Sequence, residues 1–362
     1  MRRLRRLAAV AAASPAVEPV LVRLAALLGR SEHELVVLTY HRVARPGAQS
    51  RLHPGLLSAT PEQLERQIDW LRRHARVVSL AELLGARARR RLPRNAVLIT
   101  FDDGYADFAE EAWPRLQAAG IPVTLFLATG APGWSGNAGG FWWDRLHAAI
   151  VQSSSTVIPS PLGPIRAGTL RRDPTAFTRL TARLKDLPHG RLFEAVDAIV
   201  AAAEVEATSR GIARDVDPEP DQAARRSVLD WATVRRLAAE GVTIAPHTRT
   251  HPILTRIPVA QAEEELEGSR EDLHENIGDA ALNVLAYPSG AFDAVTLSVV
   301  EQLGFELAFT TQRGINRIGR TDRLALHRFN VGSLASAGGL AAQTVVARLA
   351  PERSAVASGR RL

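Results

Sequence analysis

Short apolar runs alternate with amphipathic helical patterns along most of this chain, and that alternation restricts the fold more than any other feature. Leu35–Tyr40, Val77–Leu80, Val97–Phe101, Ile121–Leu127, Val242–Ala245, Val284–Ala286, Leu307–Phe309 and about Arg323–Val331 read as strands. Between them lie helical patterns. One opens at Thr60-Pro61-Glu62-Gln63, with Thr60 as N-cap, Pro61 at the first position and Gln63 at the third. Others cover Ala81–Arg89, Asp107–Ala119, Ala232–Glu240, Pro258–Ile277 and Ala294–Leu303, and Gly120, Gly241 and Gly304 close three of them. Strand–helix alternation of this kind predicts a parallel α/β fold.

The chemically loaded residues recur at the carboxyl ends of the predicted strands: His41, Asp102, Asp103, His247, Pro288 and His327. Barrels and open parallel sheets both place their active sites there. The run Val97-Leu-Ile-Thr-Phe-Asp-Asp-Gly104 ends in two adjacent carboxylates. Their mutual repulsion resists burial unless a cation holds them, so the strand end points to a metal or a general base. A capping turn is the plainer reading of Asp-Asp-Gly. His247-Thr-Arg-Thr-His251 sets two imidazoles four residues apart past another strand end, and one helical turn would put both on one face. Two His and one carboxylate form a facial set with open positions, the pattern of catalytic sites rather than structural ones.

Composition narrows the chemistry further. Hydrophobic content of 46% and charged content of 23% are those of an ordinary globular protein. With no Cys there are no disulfides, thiolate metal sites or cysteine nucleophiles, so a metal must rest on His, Asp or Glu. The net charge of +7 is almost all Arg, Lys185 being the sole lysine, and is scattered in pairs and at the two ends. No nucleic-acid partner is expected from it, and attraction to an anionic membrane surface or acidic polymer fits better.

The segment Gly130 to about Ser227 interrupts the alternation. It carries Phe141-Trp142-Trp143-Asp144, a Ser/Pro-rich stretch, helical patterns over Pro174–Leu187 and Arg191–Glu206, and an acidic loop over Asp215–Asp221. It reads as an insertion within one domain spanning 35–335, flanked by a basic, amphipathic segment 1–34 and a tail 336–362. Residues 1–13 partly resemble a signal peptide with a weak apolar run, and a short amphipathic helix over Val20–Gly29 is the preferred reading. No stretch approaches the ~20 apolar residues of a membrane span. A cytoplasmic or membrane-peripheral location is favoured, with export left as the alternative.

Thr100-Phe-Asp-Asp-Gly104 together with His247-Thr-x-x-His251 closely resembles the first two motifs of the NodB-type polysaccharide deacetylases, carbohydrate esterase family 4. Tyr40-His41-Arg42-Val43, Ala286-Tyr287-Pro288-Ser289-Gly290 and Trp231 extend the likeness over about residues 35–335. The resemblance implies a distorted (β/α)7 barrel, a divalent metal, most often zinc, and removal of N-acetyl groups from a sugar polymer or its lipid-linked precursor. It implies Asp103, His247 and His251 as metal ligands and Asp102 as general base. A backbone N–H just after Pro288 would serve the oxyanion, within the stretch Tyr287–Gly290.

Two departures from the family pattern stand out. Ser289 occupies the place of a Tyr whose ring would flank the sugar, and Ala286 stands where an Arg that braces the base is expected. Arg328, on the last predicted strand, is the candidate replacement brace. The family's general acid, a His in a Leu-x-His setting, is matched loosely by His327, with His41 as rival. Trp142 and Trp143 form either a sugar-stacking wall or an anchor for the insertion. A catalytically silent glycan-binding barrel and an amidohydrolase acting on a non-sugar amide are the competing functions. Oligomeric state is not indicated.

Overall fold

The computed structural model describes residues 31–349 apart from 46–51, 134–139, 154, 210–226 and 333–334, with a few positions before 31. Most of the helix expected over Val20–Gly29, the signal-like segment and the acidic loop lie outside the described residues.

Seven parallel strands build the core: β1 (Glu34–Tyr40), β2 (Ala96–Asp103), β3 (Thr124–Leu127), β4 (Thr243–Pro246), β5 (Val284–Ala286), β6 (Leu307–Phe309) and β7 (Phe329–Asn330). Continuous parallel ladders join β7 to β1, β1 to β2, β2 to β3 and β3 to β4, and a separate one joins β5 to β6. Single parallel bridges complete the ring, Ile244 to Ala281 ahead of β5 and Phe309 to Leu326 ahead of β7. The result is the distorted (β/α)7 barrel that the sequence pattern and resemblance implied, loosened at two seams.

Alternation along the strands sorts the barrel into two layers. Leu35 and Val37, Ala96 and Leu98, Phe126, Ala245, Val284 and Ala286, Phe309 and Leu326 pack together in the lumen. Val36, Leu38 and Tyr40, Val97, Ile99 and Phe101, Leu125, Ile244 and Phe329 face the helices instead. Because the period is two, this parity decides which residues at the strand ends point into the mouth.

Helices α1 (Pro61–His74) and α2 (Leu80–Arg89) each start with a capping box, Thr60 with Gln63 and Ser79 with Glu82. The second box shortens an expected strand: Ser79 serves as cap, so Val77 ends the extended segment and Leu80 is already helical. The helix expected over Asp107–Ala119 is split into a wide π turn over Phe108–Ala112 and α3 (Trp113–Ala118). Pro114 lacks the N–H that a regular ladder would use there. The last strand is also shorter than the expected Arg323–Val331. Its chain changes partner midway, Leu326 meeting β6 and Phe329 meeting β1, so only Phe329–Asn330 forms a ladder.

The insertion holds α4 (Trp142–Gln152), a small hairpin, α5 (Ala167–Arg172), α6 (Pro174–Lys185) and α7 (His189–Ser209). Helix α4 was not anticipated from sequence. Its Trp142, Trp143, Leu146 and Ile150 share one apolar cluster with Phe177, Leu184, Leu192 and Val196, and Tyr105 and Leu52 reach into it from the barrel side. After α8 (Trp231–Ala239), α9 (Val259–Ile277) and α10 (Ala294–Gln302), residues expected as a tail form α11 (Ala337–Leu349). Leu340 joins the outer barrel layer and Arg348 pairs with Glu34, so this helix is part of the wall. No helix among the described residues is long and apolar enough to cross a membrane.

Candidate active site

Lumen parity places His41, Asp102, His247 and Arg328 at one mouth, each an even number of residues from a lumen-facing neighbour. Asp103 has the wrong parity. Its φ of +76° turns the backbone and swings its side chain to the same side as Asp102. Gly104 follows at φ +96°, where a Cβ would collide with the Leu127 side chain, so glycine is required there. Thr248, His251 and Ser289 also carry positive φ, which puts four of the six such non-glycine residues in the described chain around this mouth. Concentrated backbone strain of this kind marks functional sites.

The two imidazoles reach the mouth by a different route from the helical turn expected of their spacing. Residues 247–251 are not helical; left-handed residues at Thr248 and His251 fold them into a compact loop. Glu265 of α9 holds that loop, accepting the N–H groups of Arg249 and Thr250 at 2.8 Å each and the Thr250 hydroxyl. Asp272, two turns on, takes the Arg249 guanidinium at 2.8–2.9 Å and the Thr129 hydroxyl at 2.6 Å.

His247 and His251 both point Nε2 at Asp103 Oδ1, at 3.5 and 3.4 Å. His247 Nδ1 lies 2.6 Å from the Ala286 carbonyl oxygen. A carbonyl only accepts, so Nδ1 carries the hydrogen and Nε2 presents its lone pair. Burial lowers the His251 pKa, which favours its neutral form. Three electron-pair donors thus converge within 4.8 Å of one another, an arrangement that suits a shared cation. Two imidazoles, one carboxylate and a second-layer carbonyl fit a divalent metal such as zinc.

Beside them Asp102 is 3% exposed and Arg328 fully buried. The guanidinium forks onto both carboxylate oxygens at 2.8 and 2.7 Å, and its Nε donates to the Thr310 carbonyl at 2.8 Å. Burial alone would raise the Asp102 pKa; the Arg328 charge overrides it and holds the carboxylate below its usual range. Asp103 is held well below that range, against the same burial, by the imidazoles of His247 and His251 that face it.

The family model for polysaccharide deacetylases matches residues 89–146 and 186–308. The chain belongs to the polysaccharide deacetylase family. A curated relative, the poly-β-1,6-N-acetyl-D-glucosamine N-deacetylase of Staphylococcus aureus, is 32% identical over 111 residues, 28% of this chain and 38% of that protein. This polysaccharide deacetylase family member therefore aligns with well under half the length of that relative. In solved structures, a deacetylase from Streptococcus pyogenes in complex with acetate matches with TM-score 0.54 and 17% identity over 86% of this chain and 97% of that one. A de-N-acetylase from Aggregatibacter actinomycetemcomitans gives 0.52 and 18% over 84% and 96%. These two likenesses establish a common fold.

The remaining residues of this polysaccharide deacetylase domain divide between mouth and core. His41 has lumen parity and stands close enough to bear on both Asp102 and Asp103. His327 lies between lumen-facing Leu326 and Arg328, so alternation sends it outward, against Gly314. Burial alone lowers its pKa, and none of the site's charges contributes. Tyr287 likewise has outward parity: its buried ring packs with Leu254, Leu266 and Val299, and its hydroxyl donates to the Leu324 carbonyl at 2.9 Å. The ring therefore packs in the core and does not line the mouth, and of the stretch Tyr287–Gly290 it is the turn after it that faces the site. Pro288 and Gly290 are buried, and Ser289 presents its hydroxyl to the mouth.

Trp142 and Trp143 are both buried in the insertion's cluster, which makes them anchors, and both also border the mouth. Trp143 stacks on Phe141 at 4.5 Å, meets the His251 ring edge-on at 4.9 Å and donates Nε1–H to the Tyr105 hydroxyl at 2.8 Å. That hydroxyl donates to Asp144 at 2.6 Å. Sequence reasoning missed Glu265, Asp272, Asp144 and Lys185 as parts of this site. Glu265 and Asp272 are indistinguishable in sequence from their acidic neighbours on α9. Lys185 did carry a signal, as the single lysine of an arginine-rich chain.

Proposed function

We propose that this chain is a metal-dependent hydrolase that removes N-acetyl groups from an N-acetylated polysaccharide or its lipid-linked precursor. The observation that carries the reading is the Arg328-braced Asp102 standing beside the Asp103–His247–His251 set in one barrel mouth. A binding protein needs no ionised base next to a ligand set of that kind. The curated relative's name, a poly-N-acetylglucosamine N-deacetylase, supports the substrate class.

Asp103, His247 and His251 would hold the divalent ion. When bound, such an ion supplies Lewis acidity and lowers the pKa of water. Asp102, kept ionised by Arg328, accepts the proton of the attacking water. Its fork geometry fixes which oxygen faces the mouth and prevents the carboxylate from turning toward Asp103. The backbone N–H of Ser289, held in a strained turn by Pro288 and Gly290, donates to the oxyanion that develops on the acetamide oxygen. His41 rather than His327 delivers a proton to the departing amine, because it has lumen parity and electrostatic contact with both carboxylates.

Acetate release from N-acetylglucosamine oligomers tests the reading. It should stop with chelator, return with added zinc, and stop in Asp102→Asn while that variant still binds metal. Oligomer bound without acetate release would mark a silent binder. Release of acyl groups from simple amides alone would point to a non-sugar substrate. Either result overturns the proposal.

A further inference from the structure

Lys185 is the last residue of α6, and it brings the insertion into the mouth. Its ammonium donates to the Ser289 hydroxyl at 3.0 Å and stands 5.9 Å over the Trp143 ring. Ser289 is the residue that replaces an aromatic ring in the family pattern, so a charged side chain from the insertion fills space that the ring would take. Trp142, Trp143, Phe193, His251 and Pro252 border the same pocket.

Among the described residues Lys185 has no carboxylate within ion-pairing distance, whereas Arg256 on the same rim is paired with Asp186. An ammonium has three N–H donors, and Ser289 takes one of them. Lysine is also a compact point charge, without the planar fork that makes arginine prefer carboxylates and phosphates. A point charge with no carboxylate at ion-pairing distance, felt only from farther off by Asp103 and set against aromatic walls where solvent screening is reduced, discriminates by the charge of whatever enters.

We propose that Lys185 and Ser289 form a charge-discriminating subsite for the sugar unit next to the reacting one. This subsite accepts a neutral N-acetylated unit through its oxygen atoms and repels a unit that has already lost its acetyl group. The inference rests on the deacetylase reading above. Hydrolysis of an acetamide yields acetate and an amine, and the amine takes a proton near neutral pH. Each turnover therefore turns an acceptable neighbour into a repelled one, and the product polymer carries spaced amines rather than a continuous block.

Calorimetric binding of the N-acetylglucosamine tetramer and of its fully deacetylated counterpart to the full chain, at about pH 6 where alkyl amines are protonated, tests the subsite. The unmodified chain should prefer the acetylated tetramer. Lys185→Gln should narrow that preference by roughly tenfold, the scale of one partly screened like charge at contact distance. Lys185→Arg, which keeps the charge, should preserve it. An unchanged ratio in Lys185→Gln, equal narrowing in both variants, or no binding of either tetramer overturns the proposal. Failure of the deacetylase reading would look different: acetylated tetramer bound with the expected preference, and no acetate released.

Discussion

Replacing Arg328 by Met keeps most of the side chain's volume and removes its charge, which isolates the fork onto Asp102. Both partners are buried, and two charge-assisted bonds of 2.8 and 2.7 Å are lost together. Breaking a buried pair from one side leaves an uncompensated carboxylate, which costs about 3–5 kcal/mol. The Thr310 carbonyl loses its Nε donor as well, worth about 1 kcal/mol. Arg328→Met should therefore destabilise the chain by about 4–6 kcal/mol at neutral pH, a large share of the ~5–15 kcal/mol typical of a whole domain.

The pH dependence has a fixed sign. The folded pKa of Asp102 is lowered, so the pair's contribution is present above the unfolded carboxylate pKa near 4 and disappears as pH falls through the folded value. Without Arg328 the carboxylate can protonate on folding, and the cost of the mutation should shrink toward acid. Urea unfolding of Arg328→Met, Asp102→Asn and the double variant measures the coupling directly. The double variant should recover much of the loss, since no buried charge remains. Should Arg328→Met fail to fold, Arg328→Lys supplies the intermediate case: charge kept, fork lost, about 1–2 kcal/mol. Acetate release should fall sharply in either variant with metal content unchanged. A coupling energy near zero, or wild-type turnover in Arg328→Met, would refute the brace.

Three other outcomes follow from the same geometry. Glu265→Ala strips the His loop of the acceptor for two backbone N–H groups, and metal affinity should drop by about 10–100-fold in a chelator competition; unchanged affinity would mean that the loop holds itself. Asp144 is pushed up to about 6 by burial, against hydrogen bonds from His53 N–H and Tyr105, so stability from this group is lost as pH rises from about 4 to 6. Asp144→Asn should flatten that decline by roughly 3 kcal/mol in urea midpoints converted to free energy, the size of a two-unit shift; the similarly raised Asp107 leaves a residual slope. For the proton donor, His41→Gln should remove the alkaline limb of the kcat/KM profile while His327→Gln leaves it in place, and the reverse pattern would assign the role to His327.

The candidate metal set and the proposed base were legible because their information is local. Each sits at the end of an apolar run, and strand parity carries its direction for as long as the backbone stays extended. Parity could also have separated His41 from His327 and sent Tyr287 into the core, given which face of each strand looks inward. One sequence does not supply that, because strands buried on both faces are apolar throughout: all eight residues of β2 are buried. Asp103 shows the opposite limit, where a single positive φ overturns the parity.

The parts that were not legible share a physical cause. Glu265, Asp272 and Lys185 act on residues 15 to 143 positions away, through helices whose docking depends on the whole barrel closing. Trp143 was visible as an aromatic, yet its contact with His251 requires the insertion's cluster to settle on the mouth. The barrel therefore brings the ligand set and the braced base to one mouth, while the insertion determines what stands against them. On the subsite proposed above, variation in the insertion would alter which sugar neighbours are tolerated without moving Asp102, Asp103 or the His pair. Lys185, bonded to a turn of the barrel from a helix of the insertion, is where those two halves meet.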